Sequence, residues 1–172
     1  HVIDYDTING EVLHKHTHQG YNHESAWGRG QAWGLYGYTM CYRETKLPEF
    51  LTQAENIADY IFTNPTLPDD MVTYWDNAPN IPNEPRDASA AAVMACALYE
   101  LSMYNVEKAT QYKQWADTII NNLSKNYRAP LNGNYGFILL HSTGAHNFER
   151  DVPLVYADYY FLEALLKKEK LE

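Results

Sequence analysis

The helix-compatible segments of this chain alternate between two kinds, and this alternation constrains the fold more than any other feature. Residues 25–45, 87–103 and 153–168 are apolar on nearly every side, whereas 48–62 and 106–125 carry an apolar stripe on one side only. A helix that is apolar all round is buried, and an amphipathic helix covers a core from outside. The sequence therefore predicts two layers, with dry inner helices and half-exposed outer ones.

An internal repeat indicates that these helices form stacked hairpins. Residues 52–61 match residues 110–119 at half of their positions with one constant offset. Helical hairpins stack into solenoids, and they close into an α/α toroid when about six are present. The chain holds two and a half hairpins, so we expect an all-α fold, an (α/α)6 toroid of which this chain is a part. Its apolar flanks would be covered by further hairpins on the N-terminal side.

Composition and charge disfavour several classes of function. The formal net charge is −9, and the 13 lysines and arginines are scattered along the chain, so no groove for nucleic acid is expected. No apolar run reaches the length of about 18 residues that predicts a membrane-spanning helix. Cys41 and Cys96 match no metal or redox spacing and are expected to be free thiols. The 15 tyrosines suit sugar binding, because their rings combine an apolar face with a hydrogen-bonding hydroxyl.

Polar and aromatic segments precede each of the three apolar helices. They cover residues 1–25, 72–89 and 141–153, and the first contains five of the seven histidines. In a toroid, the loops at one end of the inner helices line a central cavity, and binding residues concentrate in such loops. We therefore expect the functional residues of this chain in these three segments.

The same segments resemble the unsaturated glucuronyl hydrolases, glycoside hydrolase family 88. The resemblance is carried, in the family's order, by SAWGRGQAWGLYGYTMCYRET, TYWDNAPNIPNEPRDASAAA and DVPLVYADYYFLEALL, and it covers nearly the whole chain. The RGQAW form is closer to this family than to the related unsaturated rhamnogalacturonyl hydrolases, where an RGNGW-like form is usual.

Family members are α/α toroids roughly twice as long as this chain. The resemblance therefore implies that residues 1–172 are the C-terminal part of one catalytic domain and supply roughly the last two and a half hairpins. Residues 1–24 would be an active-site loop segment, and residues 25–172 the hairpins.

The resemblance implies an enzyme that removes a 4,5-unsaturated uronic acid from the non-reducing end of oligosaccharides released by lyases. In that reaction an aspartic acid protonates the vinyl-ether double bond, water adds to the neighbouring carbon, and the hemiketal collapses to free the remaining sugar. This hydration replaces the usual glycosidase pair of an acid with a nucleophile or base. The family's essential aspartates are expected upstream of His1, so no catalytic acid is assigned and the chain is expected to be inactive alone.

The partners implied are an unsaturated glycosaminoglycan-type oligosaccharide and the missing N-terminal hairpins of the same protein. No cofactor, metal, nucleic acid or membrane is implied. The source would be bacterial, with the choice between cytoplasm and periplasm left open.

Four substrate-binding residues carry over from the family motifs. His1 resembles an active-site histidine, Gln19 a binding glutamine, Arg29 an arginine facing the sugar, and Trp33 a stacking tryptophan. Arg29 and Trp33 are spaced i, i+4, so on a helix they would form one wall. Alternatively, Arg29 makes buried hydrogen bonds to a loop carbonyl, and Trp33 belongs to the core.

Tyr135, His141 and Ser142 are further candidates, because they lie in the loop before the last helix and could close the sugar site. Asp76 and Asp87 could each be an acid in a cleft. Asp87 is better placed as the N-cap of its helix, where a carboxylate accepts from the first free amides.

Three histidines near the N-terminus allow a different interpretation. His14, His16 and His18 alternate, so on a strand they would share one face, and with Asp4 or Asp6 they could bind a metal. A polar loop without a metal explains them equally and agrees with the resemblance.

Two alternative functions stay open. One is a catalytically silent helical module that binds acidic sugars or a protein partner. The other is a different enzyme, an unsaturated rhamnogalacturonyl hydrolase.

Overall fold

A computed structural model describes residues 2–78, 80–82, 84–145 and 147–172. In these residues an N-terminal β-hairpin is followed by five α-helices. The hairpin consists of β1 (Val2–Tyr5) and β2 (Val12–His16), and the helices are α1 (Gly28–Thr45), α2 (Pro48–Phe62), α3 (Ala88–Leu101), α4 (Ala109–Asn126) and α5 (Val155–Glu169). Among the described residues, no helix combines the length and apolarity needed to cross a membrane.

Helix α3 forms the centre of the structure. All of its residues are buried, and it packs against α1, α4 and α5, while α2 packs against α1. Its run of alanines lets the neighbouring backbones approach closely. Asp87 caps it by accepting hydrogen bonds from the amides of Ser89 and Ala90, which confirms the predicted N-cap. The predicted dry inner helix is also confirmed for α3.

The two outer helices have the predicted amphipathic character. Helix α2 occupies the predicted residues 48–62, with Pro48 in its first turn, and buries Ala54, Ala58 and Ile61. Helix α4 buries Tyr112, Ile119 and Leu123 on its inner side. Their polar faces point away from the core, as the sequence pattern indicated.

Helices α1 and α5 are buried on their inner sides only, and each has an apolar flank left uncovered, as expected for a part of a toroid. Helix α5 exposes an apolar stripe at i, i+4, i+7 and i+11, formed by Val155, Tyr159, Leu162 and Leu166. Helix α1 leaves Tyr38 and Met40 partly exposed, at 38% each. Both helices lie at the edges of the row centred on α3, so each has one flank that no described element covers. Burial of such a flank depends on a neighbour rather than on the helix's own sequence.

The segment expected to be a loop, residues 1–24, instead contains an antiparallel hairpin. Val2 pairs with His16 and Asp4 with His14, and the register shifts between Asp4 and Tyr5. Its turn is closed by the amide of Asp6, which donates to the carbonyl of Glu11. Residues 132–144 form a loop that contains the short 3-10 helix Asn134–Gly136.

Candidate functional site

The three segments that precede α1, α3 and α5 meet at one end of the helices, as the topology predicted. The amide of Gly28 donates to the carbonyl of Trp75 (2.8 Å), and the amide of Asn77 donates to the carbonyl of Ala26 (2.9 Å). The amide of Ala88 donates to the carbonyl of His141 (3.0 Å). These backbone bonds join the starts of the three helices into one surface.

Arg29 is the central link of this surface. Its Nη1 donates to Asp87 Oδ2 (2.8 Å) and to the carbonyl of Thr143. Its Nη2 donates to the carbonyl of Gly144 (2.7 Å) and to Gln19 Oε1 (3.3 Å). The residue is only 4% exposed. The structure thus gives Arg29 the buried hydrogen bonds that were the alternative to direct contact with a sugar.

Asp87 completes the link from the other side. It is fully buried, and besides Arg29 it accepts from the hydroxyl of Ser89 and, more weakly, from the amide of Thr143. Burial raises the pKa of Asp87, against the opposing effects of the Arg29 charge and these hydrogen bonds. An arginine and a carboxylate that satisfy each other in this way hold the α1, α3 and α5 segments in register.

Gln19 is the sequence-predicted residue best placed to meet a ligand. It lies between β2 and α1, is exposed, and its side chain is held by Arg29. Two cavities share His18 and Gln19. The smaller, about 280 Å³, is lined by Val2, Thr17, His18, Gln19, Ser25, Trp27, Gly30 and Gln31. The larger, about 570 Å³, is lined by His18, Gln19, Gly20, Tyr21, Trp75, Ala145, Asn147 and Phe148.

Trp33 packs chiefly against helix α5. Its ring lies 5.1 Å from that of Tyr160 and 6.3 Å from that of Tyr156. The guanidinium of Arg29 lies 5.5 Å from the same Tyr156 ring. The described residues that line the two cavities do not include Trp33. Arg29 and Trp33 therefore lie on one side of α1, as expected, but that side packs against Tyr156 of α5.

The three candidates in the loop before α5 have different environments. Tyr135 is fully exposed. His141 Nδ1 lies 2.6 Å from Asp151 Oδ1 at the surface. Ser142 is fully buried, and within the described residues its hydroxyl has no hydrogen-bond partner. None of the three contributes to the linings described above, and His1 lies outside the described residues.

Asp76 and Glu84 form a carboxylate pair beside the site. Asp76 is fully buried, and its Oδ2 accepts from the amide of Tyr21 and the hydroxyl of Ser25, both at 2.8 Å. Its amide donates to Glu84 Oε1 at 2.8 Å. Burial and the neighbouring Asp76 carboxylate raise the pKa of Glu84 to about 7. Asp76 thus connects two loops. Glu84, whose pKa is raised, is a residue that no sequence pattern indicated.

The histidine pattern of β2 is only partly on one face. His16 Nε2 lies 3.3 Å and His14 Nδ1 3.9 Å from Asp4 Oδ2, while His18 follows the end of the strand and lines both cavities. In the part of the chain that the structure describes, no three histidine, cysteine, aspartate or glutamate side chains are arranged to hold a metal.

Comparison with known proteins confirms the family resemblance, although no protein-family model matches the chain. It is 50% identical over 175 residues to an unsaturated glucuronyl hydrolase of Formosa agariphila, covering 99% of this chain and 43% of that protein. It is 34% identical to the unsaturated glucuronyl hydrolase of Bacillus sp. strain GL1, covering 46% of it. It is 33% identical to an unsaturated chondroitin disaccharide hydrolase of Streptococcus agalactiae, covering 43% of it.

Solved structures confirm the fold. A crystal structure of an unsaturated glucuronyl hydrolase specific for heparin is 50% identical and superposes with a TM-score of 0.94 over 99% of this chain and 47% of that one. The Bacillus sp. GL1 enzyme superposes with a TM-score of 0.89 at 31% identity. The chain thus has the α/α-toroid architecture of these proteins and spans slightly less than half of their length.

Proposed function

We propose that this chain is the substrate-binding, C-terminal part of an enzyme that removes 4,5-unsaturated uronic acid from glycosaminoglycan oligosaccharides. The observation that carries the proposal is Gln19, exposed between two cavities and held by Arg29, in a chain similar throughout to such hydrolases. A Streptococcus agalactiae relative is known in complex with dGlcA-GalNAc6S, which supports an unsaturated uronic acid linked to a hexosamine as the substrate class.

In this proposal the residues of the chain bind and orient, and they do not supply the catalytic acid. The Gln19 amide would hydrogen-bond the uronic acid, and Arg29 would act as a positioning residue because it fixes the orientation of that amide. The proton for the vinyl ether would come from an aspartate outside this chain. Asp76 and Asp87 are poor candidates for it, since both are fully buried and engaged in several hydrogen bonds.

The remaining hairpins of the same protein are the proposed partner of the exposed flank of α5. Contiguous apolar stripes on a protein surface mark sites of association. The stripe of Val155, Tyr159, Leu162 and Leu166 lies on an edge helix, and the relatives extend over more than twice the length that the chain matches. An additional helix of the toroid would cover it.

Loss of the ultraviolet absorbance of an unsaturated chondroitin disaccharide tests the function. It should be followed with this chain alone and with the chain fused to the part of the Formosa agariphila protein that it does not match. Activity of the fusion only, abolished by Gln19→Ala at low substrate concentration, is the expected result. Activity of the chain alone would place the acid among its own residues. An inactive but folded fusion would favour a binding module.

A further inference from the structure

The turn that presents Gln19 to the two cavities rests on the buried carboxylate of Asp76. Asp76 Oδ2 accepts from the amide of Tyr21 and from the hydroxyl of Ser25, both at 2.8 Å. Its other oxygen, Oδ1, accepts from the amide of Ala78 at 2.9 Å. The donors that the structure describes are neutral groups, so hydrogen bonds hold this carboxylate in place.

Gly20 brings the same turn into direct contact with Asp76. The amide of Gly20 donates to Thr17 Oγ1 at 2.8 Å, which closes the turn. A Cβ atom at Gly20 would lie 2.7 Å from Thr17 Oγ1 and 3.1 Å from Asp76 Oδ2, so there is no room for a side chain. A displacement of Asp76 would therefore move Gln19, which directly precedes Gly20 in the chain.

Glu84 supports Asp76 from the following segment. The backbone amide of Asp76 donates to Glu84 Oε1 at 2.8 Å. Glu84 is partly buried, and among the described residues Asp76 is the charged group that faces it. Two neighbouring carboxylates repel each other when both are ionised, whereas a protonated Glu84 keeps a carbonyl oxygen that accepts the same hydrogen bond. Burial and the Asp76 charge accordingly raise the pKa of Glu84 to about 7.

We propose that Glu84 is a positioning residue for substrate binding: when protonated it holds Asp76, and through Asp76 the turn that carries Gln19, and when ionised it releases them. The inference rests on the proposed function, in which Gln19 binds the uronic acid. Ionisation places a second negative charge beside Asp76, and the partly buried Glu84 relieves the repulsion by turning its carboxylate towards solvent. The Asp76 amide then loses its acceptor, and the contacts of Asp76 with Gly20 and Tyr21 loosen.

The linkage between proton and substrate gives the direction and size of the effect. The protonated form binds more tightly, so binding of substrate must in turn raise the pKa of Glu84. Coupling between linked sites is typically about fivefold or more, so the dissociation constant of an unsaturated chondroitin disaccharide should rise at least about fivefold from about pH 5.5 to about pH 8.5.

Ligand-observed NMR titration of this chain with the disaccharide at both pH values tests the proposal. Glu84→Gln keeps an acceptor for the Asp76 amide but cannot ionise, so its dissociation constant should be the same at both. Glu84→Ala removes the acceptor and should weaken binding at both. Glu49→Gln, at an exposed position in the first turn of α2, is the matched control and should keep the wild-type pH dependence. All these variants keep His18, which lines both cavities, so a pH effect of this histidine would persist in Glu84→Gln.

Amide hydrogen exchange tests the positioning step without substrate. The protection factor of the Tyr21 amide, which corrects for the intrinsic effect of pH on exchange, should be lower at the higher pH in the wild type and unchanged in Glu84→Gln. The amides of α3 should keep their protection in both, which distinguishes local release of the turn from a general loss of stability.

The failure of this proposal and that of the proposed function give different results. Disaccharide binding with the same pH dependence in the wild type and in Glu84→Gln, or with none in the wild type, overturns the role of Glu84. If the folded chain binds no disaccharide, the proposed function fails and the Tyr21 amide decides. Loss of its protection at the higher pH in the wild type alone supports the release of the turn, and unchanged protection overturns it.

Discussion

Replacing Arg29 by methionine should strongly destabilise the chain. The change leaves the Asp87 carboxylate, which is fully buried, without its counter-charge at 2.8 Å, and it removes the donor to the carbonyls of Thr143 and Gly144. Breaking a buried ion pair by removing one partner costs about 3–5 kcal/mol. Domains of this size unfold with about 5–15 kcal/mol, so the variant should lose a large fraction of its stability.

Urea denaturation followed by circular dichroism measures the loss in free energy of unfolding, and thermal melts measure the matching drop in melting temperature. For a domain of this length, each kcal/mol lowers the melting temperature by about 2–4 °C, so Arg29→Met should melt about 6–20 °C lower. Lys108→Met is the matched control, because Lys108 forms an ion pair with Asp59 at the same 2.8 Å but at an exposed position. Exposed pairs contribute about 0–1 kcal/mol.

The double variant Arg29→Met, Asp87→Asn separates the pair from the rest of the network. Asparagine keeps an N-cap oxygen and removes the unpaired charge, so the double variant should be less destabilised than the sum of the two single variants by at least about 1 kcal/mol. Strict additivity, or a loss in Arg29→Met no larger than in Lys108→Met, would refute the view that Arg29 is the buried link between the three segments.

Three further predictions concern the edges of the site and of the fold. The folded chain holds the Glu84 proton up to a pH of about 7, against 4.5 for an ordinary glutamate, so stability should fall as pH rises through that window. Glu84→Gln should remove this dependence in thermal melts. Gln19→Ala should weaken the binding of an unsaturated chondroitin disaccharide to the chain, as measured by ligand-observed NMR titration. The α5 stripe should make the isolated chain self-associate, and Tyr159→Lys with Leu162→Lys should shift light scattering towards the monomer; a wild-type monomer with a cooperative melt would contradict this.

The sequence predicted most accurately those elements whose character is local. The bounds of α2, the burial of α3 and the capping role of Asp87 follow from composition, periodicity and cap chemistry within a few residues. The hairpin of residues 2–16 was missed because both of its faces are largely exposed, so no apolar alternation marks it. The hairpin count did predict uncovered apolar flanks, but which residues lie on them could not be read from the sequence, because flank burial depends on which neighbour is present.

The site was predictable at the level of segments but not of partners. Repeated hairpins place the segments before α1, α3 and α5 at one end, and the structure finds them there. The partners of Arg29 are separated from it by 58 residues for Asp87 and by 114 and 115 for the carbonyls of Thr143 and Gly144. Glu84 acquires its raised pKa from burial beside Asp76. Such contacts are set by tertiary packing, which a single sequence does not display.

This arrangement separates the residues that hold the site together from those that meet a ligand. Arg29, Asp87 and Asp76 are buried and bonded to several segments each, whereas Gln19 and Tyr21 present exposed side chains and are anchored through Arg29 and Asp76. A change in the first group should therefore alter stability and binding together, while a change in the second should alter binding alone. Since neither group offers an exposed acid between the cavities, the chemistry proposed for the whole enzyme requires an acid that another part of the protein brings to Gln19.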